Sequence, residues 1–281
     1  MKGVALMLSF SCPVCGKILF IEQKNYKCEN GHCFDIAKQG YVNLLQSQQS
    51  HLKRHGDDKL MIKARYDFLN QGYYEPLMRA MCSAVDKYLP DNASIIDAGC
   101  GDCYYSFSIS DNLSGRAFDI AGVDISKDAV IFGAKRKSRL KLAVASVFSM
   151  PFCNECADGI LNVFSPFALD EYYRILKDGG FLFRVIPLEN HLFGLKEKVY
   201  DKPYKNPAEE LNINGFKLIE NTEVKYTLDL HDSESIDNLF KMTPYYYKTS
   251  KQDQEKLLRL DSLQTPVEFS VLIYQKHRGI K

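Results

Sequence analysis

The chain has 281 residues, of which 46% are hydrophobic and 25% are charged, and its formal net charge is +1. This composition is typical of a globular protein, and no apolar run approaches the roughly 20 residues of a membrane-spanning helix. The balanced charge gives no overall attraction to nucleic acid, so RNA binding would need a local basic patch. The apolar start, Met1 to Leu8, has no cleavage site of small residues, and we interpret it as the N-terminus of a cytoplasmic protein.

Four of the nine cysteines stand in the first 33 residues. Cys12 and Cys15 form a C-x2-C knuckle, and His32 follows Cys28 at a C-x3-H spacing. Two such pairs make a Cys3His site, a usual arrangement for structural zinc, and clustered free cysteines favour a reducing compartment. Cys33 is a rival fourth ligand, although the spacing favours His32. So small a unit lacks a core of its own, and bound metal would supply its stability.

Composition and spacing divide the chain into three parts. Residues 1–45 are predicted to form a zinc-binding domain, residues 46–57 a polar linker, and residues 58–281 a second domain. Up to Lys59 there are eight Lys or Arg against five Asp or Glu. This surplus is modest support for a surface that contacts phosphate, and a merely solvated face explains it equally well.

Helical and strand patterns alternate between residues 58 and 186. The predicted helices are 58–71, 77–89, 104–113, 126–138 and 168–177. The predicted strands are 94–98, 120–125, 141–145, 158–164 and 180–186. Alternation at this spacing predicts an α/β fold with a Rossmann-like, doubly wound sheet, whose ligand site lies at the carboxyl ends of the strands.

The segment Asp97-Ala98-Gly99-Cys100-Gly101 stands where the first of these strands meets a helix. Glycines at alternate positions let the backbone approach a ligand, because no Cβ stands in the way. Asp124 closes the next strand, where a carboxylate can accept hydrogen bonds from the ribose hydroxyls of a nucleoside. A nicotinamide site would need G-x-G-x-x-G/A, and Tyr104 occupies the last small position. The two motifs therefore predict S-adenosylmethionine, which has no phosphate to cradle.

Two later segments resemble those of class I S-adenosylmethionine-dependent methyltransferases. Ser146 lies in a segment similar to the adenine-edge segment of these enzymes. Many of them have Asp at that position, so Ser146 would make a weaker contact with adenine. The run Leu176-Lys177-Asp178-Gly179-Gly180 resembles their L-K-P-G-G turn into the fifth strand, with Asp178 in place of Pro.

The fourth predicted strand ends in Asn162-Val163-Phe164-Ser165-Pro166-Phe167. This position faces the methyl donor in the fold, and enzymes that methylate nitrogens of bases often have a polar-Pro-aromatic group there. Ser165 is accordingly the candidate catalytic residue that holds a base edge, and Phe164 or Phe167 would stack on the base. The alternative is an ordinary strand-to-loop turn around a core phenylalanine.

The run Lys135-Arg136-Lys137-Ser138-Arg139-Leu140-Lys141 places five cations in seven positions at the end of a predicted helix. Cations are favoured at that end by the helix dipole, which is the interpretation we prefer. The functional alternative is contact with RNA phosphates.

The order of the two units resembles the 23S rRNA (guanine-N1)-methyltransferases of the RlmA type over nearly the whole chain. General small-molecule methyltransferases have no counterpart to the first unit. The most specific stretches are Ser11–Cys15, Cys28–Leu45, Ala64-Arg65, Phe68-Leu69, Gly72, Asp97–Tyr105, His191-Leu192, Leu195-Lys196 and Met242–Pro244.

The resemblance implies zinc ligation by the Cys3His set given above and contact with S-adenosylmethionine at Tyr74, Asp102, Cys103 and His191. These contacts would join those of Asp97, Gly99, Gly101, Asp124 and Ser146. Relatives often have glycine at the position of Cys103, which puts the loop geometry in question. The resemblance further implies a guanine in a hairpin of domain II of 23S rRNA as the substrate, and a homodimer.

Two other functions remain as alternatives. A small-molecule methyltransferase with a structural zinc unit would be active without RNA. An RNA-binding protein without catalysis would bind a hairpin and transfer no methyl group. The family stretches and the intact pair of Asp97 and Asp124 argue against both.

Overall fold

The computed structural model describes residues 8–46, 57–257 and 259–277. Met1 to Met7 and positions 47–56 of the predicted linker lie outside the described residues. The strands are β1 (Phe20–Glu22), β2 (Asn25–Lys27), β3 (Cys33–Asp35), β4 (Tyr41–Asn43), β5 (Ser94–Ala98), β6 (Asp119–Asp124), β7 (Lys141–Val144), β8 (Ala157–Val163), β9 (Leu176–Pro187), β10 (Phe216–Leu230) and β11 (Leu263–Lys276). The α-helices are α1 (Lys59–Asn70), α2 (Glu75–Tyr88), α3 (Tyr104–Asn112), α4 (Lys127–Ala134), α5 (Leu169–Ile175), α6 (Phe193–Val199), α7 (Ser233–Lys241) and α8 (Lys251–Leu257).

Eight of these strands form one sheet in the order β10-β11-β9-β8-β5-β6-β7-β4. The strands from β9 to β4 are parallel, whereas β11 pairs antiparallel with both β9 and β10. The predicted doubly wound α/β fold is confirmed, and the carboxyl ends of β5, β6, β7 and β8 meet at one edge of the sheet. Every residue of β5 is buried, because a central parallel strand is covered on both faces.

The predicted helices and strands agree with the observed ones to within two residues, apart from one helix end and the start of one strand, since β9 begins at Leu176 and not at residue 180. Helix α4 ends at Ala134, whereas the sequence predicted helix to residue 138. Its N-terminus is capped by Ser126, whose Oγ accepts a hydrogen bond from the Ala129 N–H. Beyond residue 186 the sequence gives no prediction of helices or strands. There the long hairpin of β10 and β11 extends the sheet.

None of the described helices has the length and apolar character that crossing a bilayer requires.

The N-terminal unit is joined to the large sheet rather than separated from it. Strands β1, β2 and β3 form a small antiparallel sheet, but β4 pairs in parallel with β7, and Tyr41 stands opposite Leu142. The ring of Phe10 packs 5.4 Å from that of Phe152, and the Ser11 N–H donates to the Pro151 carbonyl at 2.7 Å. The last strand before residue 45, β4, is the edge strand of the eight-stranded sheet. The domain boundary at residue 45 therefore stays a prediction.

Candidate functional site

Four side chains of the N-terminal unit converge on one point. The ligand atoms of Cys12, Cys15, Cys28 and His32 all lie within 4.8 Å of one another. Cys15 Sγ is 3.7 Å from Cys28 Sγ, and His32 Nδ1 is 3.3 Å from Cys28 Sγ. Zinc with Zn–S near ~2.3 Å and Zn–N near ~2.0 Å would hold tetrahedral ligand atoms about 3.5–3.8 Å apart. The cluster therefore fits zinc, with His32 as its fourth member.

Two tight turns present these ligands. The Gly16 N–H donates to the Cys12 carbonyl at 2.8 Å, and the Gly31 N–H donates to the Cys28 carbonyl at 2.9 Å. Both glycines have positive φ, which side chains with a Cβ rarely adopt. The backbone N–H of Lys17 is the main cause that lowers the pKa of Cys15 to about 6, which favours the thiolate form that binds metal. Cys33, the rival ligand, is exposed and starts β3.

The loop after β5 is held in an unusual backbone conformation. Gly99, Gly101 and Cys103 have φ of 79°, 54° and 61°. A Cβ on Gly99 would lie 2.4 Å from the Cβ of Ser165, so only glycine fits. Cys103 keeps the left-handed conformation at a cost of roughly 1–2 kcal/mol. Its Sγ lies in the space left free by the missing side chain of Gly133. Cysteine at this position thus adopts a left-handed conformation that glycine would adopt without strain.

Asp97 is a buried carboxylate beside this loop that has no cation as a partner among the described residues. The residue is 3% exposed, and the nearby hydroxyl of Ser106, which donates to the Cys103 carbonyl at 3.5 Å, acts to lower its pKa. Burial, together with the nearby carboxylates of Asp124 and Asp102, raises its pKa to about 7. Asp97 thus has no charged partner among the described residues, which suits a ligand that carries positive charge.

Asp124 ends β6 and faces the same loop. Its Oδ2 accepts a hydrogen bond from the Gly101 N–H at 2.9 Å, and its Oδ1 accepts one from the Ser126 N–H at 2.8 Å. Burial raises its pKa, and the two N–H groups oppose that rise. Ser146, at the carboxyl end of neighbouring β7, accepts a hydrogen bond at Oγ from the Phe148 N–H at 3.2 Å. The predicted ribose and adenine contacts therefore lie on adjacent strands.

Asp102 has its carboxylate paired with Arg136. The Arg136 guanidinium forms a salt bridge with that carboxylate, and its Nε donates to the Asp102 carbonyl at 2.8 Å. Both side chains are almost wholly buried, and Arg136 also stands over the rings of Tyr66 and Tyr104 at 4.7 and 5.5 Å. Only the backbone of Asp102 is thus available to a cofactor, and Arg136 fixes it in place.

The middle of α1 lies over the same loop. Arg65 Nη1 lies 3.6 Å from the point that a Cβ on Gly101 would occupy. Its Nη2 forms a salt bridge with Asp57 at 2.6 Å, and the Asp57 carbonyl accepts a hydrogen bond from the Ser126 hydroxyl at 2.9 Å. A guanidinium therefore stands close to the predicted methyl-donor site, next to its carboxylates.

Tyr74 and His191 meet around the ring of Phe269. The ring centroids of Tyr74 and Phe269 are 5.1 Å apart, and those of His191 and Phe269 are 4.5 Å apart. Burial and the charge of Lys196 lower the pKa of His191 to about 3, so the ring is neutral at neutral pH. His191 Nδ1 accepts a hydrogen bond from the Glu268 N–H at 3.3 Å, which leaves the proton on Nε2. The ring can accordingly donate one hydrogen bond to a ligand.

The hydroxyl of Ser165 is hydrogen-bonded to the end of β5, just before the glycine loop. It donates to the Ala98 carbonyl at 2.5 Å and accepts a hydrogen bond from Asn162 Nδ2 at 2.6 Å. Asn162 Nδ2 also lies 3.0 Å from the hydroxyl of Tyr172. The structure thus gives Ser165 two partners within the protein, and its contact with a substrate base stays a prediction.

The two phenylalanines that flank Ser165 have different surroundings. Phe167 is half-buried, with the Arg184 guanidinium 4.5 Å above its ring and Tyr172 in edge contact with it. Phe164 is 48% exposed, has a φ of 53°, and lies 5.2 Å from the ring of Phe269. A bulky residue rarely adopts this strained conformation, which is often found at functional sites. Phe164 rather than Phe167 is therefore available to stack on a base.

Three residues of the site have no assigned role in the sequence analysis. Arg65 stands in one of the family stretches, which is a signal that could have indicated it. Arg136 is hidden in a basic run, and nothing in the sequence separates it from Lys137. Phe269 lies on β11, in a part of the chain for which the sequence gives no predicted strand.

Comparisons with known proteins agree with both parts of this geometry. Residues 10–53 match the family profile of the RlmA N-terminal zinc ribbon, and residues 89–232 match that of a methyltransferase domain. The chain is 30% identical over 288 aligned positions to the YxjB protein of Bacillus subtilis (strain 168), which bears a 23S rRNA (guanine-N1)-methyltransferase name, with 98% of this chain and 100% of that protein covered. It is 31% identical over 258 positions to the 23S rRNA (guanine(748)-N1)-methyltransferase of Streptomyces fradiae, with 88% of each covered. The Cys3His cluster is thus the zinc site of a zinc ribbon, and the cofactor of the sheet domain is S-adenosylmethionine.

Proposed function

This chain belongs to the 23S rRNA (guanine-N1)-methyltransferase family, and from that premise we propose that it methylates N1 of a guanine in a hairpin of domain II of 23S rRNA. The observation that carries the proposal is the match over the full length of a relative, zinc ribbon included. Residues 1–45 would serve as the RNA-recognition unit and residues 58–281 as the catalytic unit. A ribosomal substrate places the enzyme in the cytoplasm, and we expect a homodimer.

The residues around the glycine loop would hold S-adenosylmethionine, which when bound supplies a methyl group on a sulfonium. Asp97 would accept hydrogen bonds from its ammonium group, because this buried carboxylate otherwise has no cation. Asp124 would bind the ribose hydroxyls, and Ser146 the adenine edge. Arg65 would pair with the carboxylate of the cofactor. The backbone of Gly99, Gly101, Asp102 and Cys103 would line the site, together with the side chains of Tyr74 and His191.

The residues at the end of β8 would position the guanine. Phe164 would stack on the base once it leaves its hairpin, and a hairpin base is easier to extrude than one inside a duplex. Ser165 would keep the turn after β8 close to the glycine loop after β5, because its hydroxyl donates to the Ala98 carbonyl. Positioning of this kind can lower a barrier by up to about 7–11 kcal/mol. We assign no general base for the proton on N1.

Primer extension on 23S rRNA tests the proposal. Methylation of N1 blocks the Watson–Crick edge, so we expect one new reverse-transcriptase stop in the domain II hairpin after incubation with enzyme and S-adenosylmethionine. The Streptomyces fradiae relative acts at guanine 748, and the position of the stop will tell whether this chain selects the same guanine. The Asp97→Asn variant serves as the control that should give no stop.

Two outcomes would support the alternative functions instead. Cofactor turnover without RNA, and no new stop with RNA, would indicate a small-molecule methyltransferase. Binding of the hairpin without any transfer of labelled methyl would indicate an RNA-binding protein.

Replacement of Phe164 tests its assignment as the stacking residue. We expect Phe164→Leu to raise the KM for RNA about tenfold or more, because stacking contributes roughly 1–3 kcal/mol per base, while the Kd for S-adenosylmethionine stays unchanged. Phe164→Tyr keeps the ring and should retain most of the activity. An unchanged KM for RNA in Phe164→Leu would remove Phe164 from the site.

Ser165→Ala separates two roles of the hydroxyl. Loss of a base contact would raise the KM for RNA, whereas loss of support for the loop would raise the Kd for S-adenosylmethionine. An unchanged KM for RNA together with an unchanged Kd for S-adenosylmethionine would show that Ser165 has neither role.

A further inference from the structure

The basic run from Lys135 to Lys141 contains two residues that turn inward. Arg136 is bound to Asp102 as described above, and Lys141 Nζ lies 2.7 Å from the Asp119 carboxylate and 2.7 Å from the Leu8 carbonyl. Their charges are neutralised within the protein. These two cations are therefore unavailable to a partner.

The other three cations of the run, Lys135, Lys137 and Arg139, are exposed. Lys135 caps the end of α4, with its Nζ 3.9 Å above the ring of Phe132. Lys137 and Arg139 lie beyond the helix, and Lys137 has a φ of 50°. The helix dipole acts within the last turn, so it does not account for these two charges.

The zinc ribbon adds a fourth cation to the same place. Lys38 stands in the turn before β4, which the Gly40 N–H closes by donating to the Ala37 carbonyl at 2.8 Å. Ala37 and Tyr41, the residues at the two ends of this turn, share one apolar cluster with Ala134 and Leu140. Since β4 and β7 are parallel neighbours, the turn with Lys38 and the segment with Arg139 lie at the same end of these strands.

The nearby carboxylates leave this charge uncompensated. Asp102 is occupied by Arg136, and Asp119 by Lys141. Within the described residues, none of Lys38, Lys135, Lys137 and Arg139 forms an ion pair. A net charge of +1 for the whole chain makes such a local concentration of cations distinctive.

We infer that Lys38, Lys135, Lys137 and Arg139 form a surface, here called the basic edge, that binds the phosphates of the RNA stem next to the methylated loop. The inference rests on the proposed function. The basic edge adjoins the amino end of β7, and Ser146 lies at its carboxyl end. Arg139 and Ser146 are seven positions apart, which spans at most about 23 Å of chain, or the length of roughly seven base pairs. A hairpin with its loop at the methyl donor would thus bring its stem to the basic edge.

A matched pair of triple variants tests the inference. One variant carries Lys38→Gln, Lys137→Gln and Arg139→Gln. The control carries the same change at three exposed lysines outside the basic edge that form no ion pair in the described chain, namely Lys202, Lys217 and Lys251. The Kd for the domain II hairpin RNA is measured for both variants and for the wild-type enzyme between 50 and 200 mM salt.

We expect the basic-edge variant to bind the hairpin at least tenfold more weakly at 100 mM salt. Its plot of log Kd against log salt should be less steep by about 2, because each lost phosphate contact lowers the slope by about 0.7–0.9. The control variant should bind as the wild type does. The Kd for S-adenosylmethionine and the turnover at saturating RNA should be unchanged in both variants, which excludes misfolding.

Two results would overturn the inference. One is a basic-edge variant whose Kd and salt slope equal those of the wild type, and the other is an equal loss in the control. Failure of the proposed function looks different, because the wild-type enzyme itself would then produce no stop on 23S rRNA.

Discussion

At the scale of single residues, Asp97 stands out because its burial disfavours its own charge. A carboxyl that titrates near pH 7 in the folded protein and near ~3.9 in the unfolded chain binds its proton more tightly when folded. The stability of the free protein must therefore fall as the pH rises from about 4 to about 7. A cationic ligand would offset this loss of stability. The residue that destabilises the free protein would thus contribute to the affinity for the ligand.

The Asp97→Asn substitution should separate stability from function. We expect it to raise the free energy of unfolding of the free protein at pH 8 by roughly 1–3 kcal/mol, because no buried charge remains. Binding of S-adenosylmethionine should be lost. Thermal unfolding and calorimetric titration measure the two effects, and a lower Tm with intact cofactor binding would contradict the assignment.

The affinity of the wild-type protein for S-adenosylmethionine should depend on pH. Below about pH 7 the Asp97 carboxyl is protonated in the free protein, so ligand binding must release a proton there. We expect the Kd to rise by up to tenfold per unit as the pH falls below 7, and to level off above it. The residual binding of Asp97→Asn, if measurable, should lack this dependence, and a flat profile for the wild type would exclude Asp97 as the partner of the cationic group.

Arg136 offers a second prediction at this scale, since it pairs with Asp102 out of contact with water. Arg136→Met leaves a buried carboxylate without a partner, so we expect a loss of about 3–5 kcal/mol in stability and a higher Kd for S-adenosylmethionine. The double variant Arg136→Met, Asp102→Asn should recover much of the stability, because no unpaired charge is left. Chemical denaturation checks both variants, and equal stabilities of the single and double variants would refute the role of the ion pair.

At the scale of elements, the zinc ribbon shows how a short segment is ordered by its ligands. Strands β1, β2 and β3 have three residues each, and Phe20 and Ile21 on β1 are more than half exposed. Such strands bury too little apolar surface to be stable alone. Zinc held by the Cys3His cluster would therefore supply stability that these three strands lack.

Replacement of single cysteines tests this dependence on zinc. Cys28→Ser should abolish stoichiometric zinc and weaken hairpin binding, because a metal ligand is lost and the ribbon unfolds locally. Cys33→Ser is the matched control, since Cys33 is exposed and outside the cluster, and it should keep one zinc per chain. Metal analysis gives the answer, and loss of zinc in the Cys33 variant alone would reverse the choice of ligands.

At the scale of the whole molecule, the two parts of the chain share one sheet. Strand β4 comes before α1 in the chain, yet it forms the edge of the sheet by pairing with β7. Removal of β4 would expose the N–H and C=O groups of β7, and exposed edges of this kind pair with other chains. Strand β4 of the N-terminal unit thereby protects the edge of the sheet.

A pair of fragments tests this view. We expect the fragment 58–281 to aggregate or to unfold at a lower temperature, whereas the fragment 36–281, which keeps β4, should be markedly more soluble. Light scattering and thermal unfolding compare the two fragments. Equal behaviour would show that residues 1–45 are an independent domain after all.

The sequence by itself determined the features that depend on local spacing. Ligand pairs at C-x2-C and C-x3-H spacing, the glycines after β5 and the carboxylate that closes β6 act through turns of a few residues, so their pattern is legible in the chain. The α/β alternation likewise follows from short-range periodicity, and most helices and strands lie where it predicts them.

Only the tertiary structure decided which side chains are used up inside the protein and which remain for a ligand. Arg136 and Lys137 are adjacent and chemically alike, but the first is buried against Asp102 and the second faces solvent. Phe164 is likewise exposed, whereas Phe167, three residues later, is half-buried. Burial and long-range pairing arise from contacts between segments far apart in the chain, and the pairing of β4 with β7 joins positions about a hundred residues apart. No local pattern carries that information.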